Sequence, residues 1–279
     1  MTEKQEAERR VNKLESKIDE LEDRVERAES NEYDTRTDFR RVESLNLART
    51  RTALDYLSSM DGDDERLTTT YVAPGENITD ILDKELESDT DTLALLRQID
   101  SSTGIVLVLD DFSLIRACLV PPLAVTESRT EHAPAFELDR SLFEPSGSYA
   151  VAVVRSDSYA GGVYENTERT AFSSHSSNVK SKHSKGGFSQ GRFERIRNDQ
   201  IDEHLDDSVE KFGEMLNEND GDTPDYVCIG GERAVAEEFS DRISVDAPTH
   251  VKSLDSTGGG EELLEKGYES FWTTRFYVF

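Results

Sequence analysis

The sequence predicts a mixed α/β domain, α+β in the order of its elements, preceded by an amino-terminal α-helical coiled coil. Three patterns predict it. An apolar seam with alternating three- and four-residue steps fills the first thirty residues, an acidic stretch at 61–65 breaks it off, and short apolar strands then give way, from about residue 187, to helices alternating with strands.

In the seam, Val11, Leu14, Ile18, Leu21, Val25 and Ala28 take the a and d positions of heptads. The flanking pairs Arg10 with Glu15, Lys17 with Glu22 and Arg24 with Glu29 are of opposite sign, as a parallel self-pairing coil requires. Three heptads are short for a free-standing dimer. A second helical stretch over 38–57 offers an antiparallel intramolecular partner instead, and docking to another protein is the third option. Residues 1–60 are therefore expected to be a helical coiled coil that supports a homodimer, a hairpin or a docking arm.

Asp61-Gly62-Asp63-Asp64-Glu65 reads as linker, and 61–102 as acidic linker plus a short helix at about 78–98. The domain proper is expected from 103 to 279. Gly104 to Leu109 is a buried strand, turned by Asp110-Asp111 into a second strand over 114–120 that Pro121-Pro122 ends. Strands follow at 149–155, 162–166 and 168–172, the first two joined at Ala160-Gly161. Phe193, Ile196, Ile201, Leu205, Val209, Phe212 and Leu216 then mark one face of a long helix, closed at 219–224. A strand at 226–229, a Gly230-Gly231 turn, helices at 232–243 and 259–271, and a strand at 274–279 complete the order.

With 59 acids, 32 bases and a formal charge of −27, the chain carries its acid excess along its whole length. That distribution suits a protein kept soluble in concentrated salt, as in halophiles. No run reaches the roughly 18 apolar residues a membrane span needs, and no signal-peptide pattern opens the chain, so a cytoplasmic protein without membrane contact is expected. Cys118 and Cys228 lie too far apart in sequence for a Cys-x-x-Cys pair, which excludes a disulfide scaffold and a cysteine-rich zinc site. Cys118 in its apolar strand reads as a small hydrophobe, and Phe271, Trp272, Phe276, Tyr277 and Phe279 as core.

One segment opposes the global charge. Arg169, Lys180, Lys182, Lys185, Arg192, Arg195 and Arg197 face a single acid, Glu194, giving seven minus one, or +6, between 169 and 197. Between 173 and 184 lie six serines and two histidines, with Val179 the lone large apolar residue, so an exposed loop of about fifteen residues is expected. Its bases, hydroxyls and backbone amides suit contact with phosphates. The following helix starts with Arg192, Arg195 and Arg197 and carries Asp199, Asp202, Glu203, Asp206, Asp207 and Glu210 later, the reverse of what the helix dipole favours. A phosphate backbone across that helix start would reconcile the order. His175 and His183, with no acid beside them in sequence, read as RNA contacts or spacers rather than metal ligands.

The run Lys185-Gly186-Gly187-Phe188-Ser189-Gln190-Gly191-Arg192-Phe193-Glu194-Arg195-Ile196-Arg197 resembles the peptide-release loop and helix of archaeal and eukaryotic class I release factors. Lys185, Gly186, Gly187, Ser189, Arg192, Phe193, Arg195 and Arg197 match that pattern, whereas Phe188 stands where those factors have glutamine. Gly187-Phe188-Ser189-Gln190 is similar to the Gly-x-x-Gln of the ankyrin-repeat and zinc-finger peptidyl-tRNA hydrolases, which act in ribosome quality control; the chain's own ankyrin repeats and zinc finger are not apparent. The resemblance implies a ribonuclease H-like central domain, Gln190 as the catalytic residue, and Gly186, Gly187, Ser189, Lys180, Lys182, Lys185, Arg192, Arg195 and Arg197 as contacts to peptidyl-tRNA on the large ribosomal subunit. It implies no metal and no cofactor. A haloarchaeal peptidyl-tRNA hydrolase is the expectation, and a catalytically silent ribosome- or RNA-binding adaptor with a coiled-coil arm is the alternative.

Overall fold

The architecture rests on two sheets that share the chain unevenly. A computed structural model describes residues 38–62, 66–82, 90–178, 190–218 and 223–279. The first sheet contains β1 (Arg41–Leu45), β2 (Leu67–Val72), β3 (Ile105–Asp110), β4 (Arg116–Val120), β5 (Arg129–Ala133) and β11 (Thr274–Val278), in the order β1-β11-β4-β3-β2-β5 and antiparallel throughout. The second contains β6 (Ser148–Val154), β7 (Ser158–Glu165), β8 (Glu168–Ser176), β9 (Tyr226–Gly231) and β10 (Thr249–Ser253), in the order β10-β9-β6-β7-β8. There β10, β9 and β6 run parallel, while β6, β7 and β8 form an antiparallel meander. The fold is therefore a mixed α+β one.

The central strands of both sheets are covered on both faces, which explains the nearly continuous apolar runs of β3, β6 and β9. In the first, α2 (Ile78–Leu82) and α3 (Thr90–Leu96) place Leu82, Leu95 and Leu96 on Ile105, Leu107 and Cys118, while α1 (Leu47–Ser58) packs Leu54 and Leu57 on the opposite face with Val106, Val108 and Leu119. In the second, α4 (Gln190–Glu218) and α5 (Arg233–Arg242) bury Leu205, Phe212 and Phe239 against Ala152, Val154 and Val163. On its other face α6 (Glu261–Phe271) brings Leu263, Leu264 and Phe271 to Val151 and Val153. Phe271, Trp272, Tyr277 and Phe279 are buried as expected, and Phe276 packs beside Leu119.

Several expectations are corrected. The helix over 38–57 is strand β1 followed by α1, because Asn46 caps α1, its side-chain oxygen accepting from the Arg49 amide at 3.0 Å. With Thr50, Leu54 and Leu57 of α1 buried, that helix has no free apolar stripe for an amino-terminal partner. The seam itself, residues 11–28, lies outside the described residues. The single helix over 78–98 is two, α2 and α3, with 83–89 outside the description. Ala160-Gly161 is no turn but the middle of β7: a side chain at Gly161 would sit 2.2 Å from the Tyr159 hydroxyl, so the glycine provides room rather than a bend. The turn falls instead at 155–157, where the Arg155 amide donates to Ser158 O at 2.8 Å. Gly230 and Gly231 close β9, with Gly231 at φ +146.

Sheet membership also divides the chain differently from a boundary at 103. β2, from the stretch read as linker, pairs with β3 from Leu67↔Asp110 to Val72↔Ile105. Its threonines hid it. Thr68, Thr69 and Thr70 are buried but satisfied, Thr68 Oγ1 meeting His132 Nδ1 at 3.0 Å and Thr70 Oγ1 meeting Thr130 Oγ1 at 3.1 Å. At the far end of the chain, α6 leads out of the second sheet into β11 of the first. Lys252 on β10 fastens that crossing, its Nζ donating to the carbonyls of Phe271 at 2.8 Å and Thr273 at 3.2 Å.

Candidate functional site

The described residues of the basic island lie on β8 and on α4. Strands β6, β9 and β10 all point their carboxyl ends the same way, the end at which open α/β sheets present their sites. β8 runs to that end too. Ser173, Ser174, His175 and Ser176, expected in the loop, prolong β8 instead, paired with β7 up to Ser158↔Ser176. Hydroxyls hold this polar stretch in the sheet, Ser173 Oγ lying 3.0 Å from the Tyr159 hydroxyl. The chain returns through α4, which lies antiparallel on β8. Ser173 meets Met215, whereas His175, nearer the strand's end, stacks on His204.

From His204 back to Gln190 the helix rises about 21 Å, fourteen residues at roughly 1.5 Å each. Gln190 opens α4 and Arg192 lies in its first turn, so the two are carried well beyond the end of β8. By helical period, position 190 shares a face with Arg197 and with the buried stripe of Leu205, Ser208 and Phe212 further down, whereas 192 and 195 fall on the opposite side. Arg195 is exposed and Arg197 partly so. Lys180, Lys182, Lys185, Gly186, Gly187, Ser189 and His183 lie outside the described residues. Arg169, the island's first base, serves the fold, since it pairs with Glu261 at 2.5 Å and stands over the Phe172 ring at 4.9 Å.

The acids of α4 have a different explanation from the one the sequence suggests. The helix has 29 residues, and a macrodipole acts only within its first and last turns. Asp199 is already its tenth residue, and several acids beyond it meet cations, from α5 or from α4 itself. Arg242 of α5 reaches Asp202 at 3.0 Å, Asp206 at 2.7 Å and also Glu238, and Lys211 pairs with Glu214 at 2.7 Å.

At the root of the arm the structure adds a residue that sequence reading passed over, His204. It is 1 % exposed, and its ring lies on that of His175 with centroids 5.2 Å apart and planes 23° apart. His175 is thus a half-buried strand residue rather than a loop spacer. Its Nε2 is 3.3 Å from Asp207 Oδ2. Burial first, and then His175, hold the His204 imidazole below its ordinary range, with the Ser158 backbone and the Asp157 and Asp207 carboxylates pulling the other way. The available signal was its spacing, three residues after Ile201 and four before Ser208 on the buried stripe. Among the described residues no group of three or more histidine, cysteine or acidic side chains could hold a metal ion. The thiols of Cys118 and Cys228 are fully buried, which pushes both far up from their ordinary range.

Residues 147–277, from the start of β6 into β11, match the family model described as acVLRF1, the Actinobacteria/chloroflexi VLRF1 release factor. This segment is release-factor-like. It amounts to a little under half the chain and includes the entire β8, loop and α4 arm. No curated protein matches the chain. Among solved structures, the archaeal translation termination factor aRF1 aligns at 16 % identity over 81 % of this chain and 70 % of its own, with a TM-score of 0.34. A structure described only as an archaeal protein aligns at 16 % identity over 80 % and 69 %, with a TM-score of 0.29. Pelota of Archaeoglobus fulgidus aligns at 8 % identity over 82 % and 61 %, with a TM-score of 0.26. No helix among the described residues is long and apolar enough to cross a membrane.

Proposed function

We propose that the protein is a peptidyl-tRNA hydrolase of ribosome-associated quality control, freeing nascent chains from stalled ribosomes or large subunits. The observation that carries this reading is that the release-factor-like match at 147–277 contains the basic Gly-Gly-Phe-Ser-Gln motif, which lies in sequence between β8 and α4. The likeness of Gly187-Phe188-Ser189-Gln190 to the Gly-x-x-Gln of the ankyrin-repeat and zinc-finger branch supports Gln190 as the residue at the reaction centre. A haloarchaeal setting in the cytoplasm suits the acid excess. The heptad seam supplies self-pairing or recruitment.

The chemistry asked of Gln190 is placement. A carboxamide has no useful pKa and cannot act as a general base near neutrality, but it can hold a water, or the terminal ribose hydroxyl, against the ester carbonyl. Water then adds to the carbonyl carbon, the bond to the ribose oxygen breaks, and one proton of the water ends on that ribose hydroxyl. Gly186 and Gly187 allow close backbone approach, so main-chain amides can stabilise the oxyanion. Lys180, Lys182, Lys185, Ser189, Arg192, Arg195 and Arg197 bind the phosphates and sugars of the acceptor end.

The test incubates the protein, in concentrated potassium chloride, with stalled large subunits carrying labelled peptidyl-tRNA, and sizes both products. Wild type is expected to release peptide, and Gln190→Ala to release none while unfolding at the same temperature. An intact tRNA end means ester hydrolysis, and a shortened one means cleavage within the tRNA 3′ end. Binding of both proteins without release by either would refute the enzyme reading and favour the silent adaptor.

A further inference from the structure

The root of the arm holds buried polar groups that peptide release, as read above, does not use. Among the described residues, neither ring nitrogen of His204 finds a hydrogen-bond partner of normal geometry, nor does His175 Nε2, although Asp207 stands at ion-pair distance; the buried Ser177 hydroxyl finds none there either. Groups surround His204 from every element packed on it. β8 contributes His175, and the β6–β7 turn and start of β7 contribute Asp157 and Ser158. From α4 come Asp207 and Ser208, whose hydroxyl donates to His204 O at 2.7 Å, and α5 brings Arg242, tied to Asp202 and Asp206 on adjoining turns.

The geometry points to His175 and His204 as positioning residues for the arm: their uncharged stack fixes how α4 lies on β8, and a proton on His204 releases that setting. Two neutral imidazoles stack in this site without burying charge. A proton on His204 puts a buried cation against a second imidazole, a cost that the Ser158 backbone and the Asp157 and Asp207 carboxylates offset only in part. β8 is locked by its ladder to β7, so α4 is the element that yields. The lever is long. A tilt of about 10° at His204 shifts the helix start, roughly 21 Å away, by about 3.5 Å, and a misplacement of about 1 Å can lower a catalytic rate roughly a hundredfold.

The direction follows from the folded state's preference for neutral His204. Docking of α4 is complete above the unfolded imidazole value, about 6.5, and weakens as pH falls below it. The inference rests on Gln190 as the release residue only in its consequence for activity, so two readouts are taken. The first is hydrogen exchange of the full-length protein between pH 7.5 and 5.5, corrected for intrinsic rates. In wild type, α4 is expected to lose about tenfold more protection than β6 and β9. His204→Phe, which keeps an aromatic ring and cannot titrate, is expected to lose no more in α4 than in those strands. His204→Gln, which keeps a polar side chain and cannot titrate, answers the same question should His204→Phe fold poorly. An α4 that follows β6 and β9 in wild type, or one that loosens equally in the variants, overturns the inference. The second readout is release activity, expected to fall over the same window in wild type and to stay level in His204→Phe; identical pH profiles also overturn it. Absence of release at any pH removes the proposed function and leaves the exchange result to decide the latch.

Discussion

Lys252 provides a perturbation whose size can be worked out before the experiment. Its ammonium is largely buried between β10 and the end of α6, donating to the carbonyls of Phe271 and Thr273 and, at 3.5 Å, of Ser270. Burial lowers its pKa to about 8 from the ordinary 10.5. In Lys252→Met the helix end loses its donor, and each buried carbonyl left unpaired costs about 1–3 kcal/mol. Relief of the buried charge offsets part of this, a shift of about 2.5 units being worth about 3 kcal/mol. The expected net loss is roughly 1–3 kcal/mol at pH 7. The pH dependence is sharper. With the folded value below the unfolded one, the unfolded chain holds the extra proton between about 8 and 10.5, so wild type gains stability as pH rises through that window. Lys252→Met lacks this gain, and the gap between the two proteins should widen by about 2 kcal/mol from pH 7 to 9.5. Urea unfolding of both proteins at a series of pH values, in one concentrated salt, measures it. Parallel curves, or a gap that narrows with pH, would refute the argument that a charged lysine is held there against its burial.

Two further outcomes are expected from the same second sheet. Gly231 has φ +146, and a Cβ there would stand 1.8 Å from Val154 O, so Gly231→Ala should cost about 3 kcal/mol or more; a melting temperature within a few degrees of wild type would contradict the packing described. Arg242→Ala frees Asp202, Asp206 and Glu238 from a partly exposed network, and should lower stability by about 1 kcal/mol in dilute salt and less in concentrated salt. An equal loss at both salt levels would mean that Arg242 acts through packing rather than charge.

What could be read from the sequence, and what could not, divides along physical lines. Segments whose period is strong and local were legible: β3 with its unbroken apolar run, the long α4, and the β9, α5, α6 and β11 succession all stand within a few residues of expectation. β2, β5 and β10 were missed because their residues are threonines, histidines and charges that become strand-like only through partners far away, as Thr70 does with Thr130. β1 reads as helix because Phe39 and Val42 fit a helical step, and only pairing with β11 decides the matter. The release-loop motif is legible as a run in the sequence, Gly186 to Arg197 in order, and Gln190 opens α4; that these residues form the site is the proposal above. His204 was not legible, because a histidine among acids in a helix looks solvated until β8 is laid beside it.

The placement of β11 constrains the order in which this chain can mature. The strand lies between β1 and β4, yet Thr274 follows Val120 by 154 residues in sequence. Until it arrives, β4 shows an open edge bearing Cys118 and Leu119, and β1 has no strand to pair with. The second sheet has every strand it needs by Ser253, so during synthesis it can close first while the first sheet waits as an incomplete, adhesive surface. A product cut short before β11 would therefore carry a formed arm on an unfinished body, prone to aggregation and clearance. The arrangement ties survival of the release-factor-like segment to delivery of one five-residue strand.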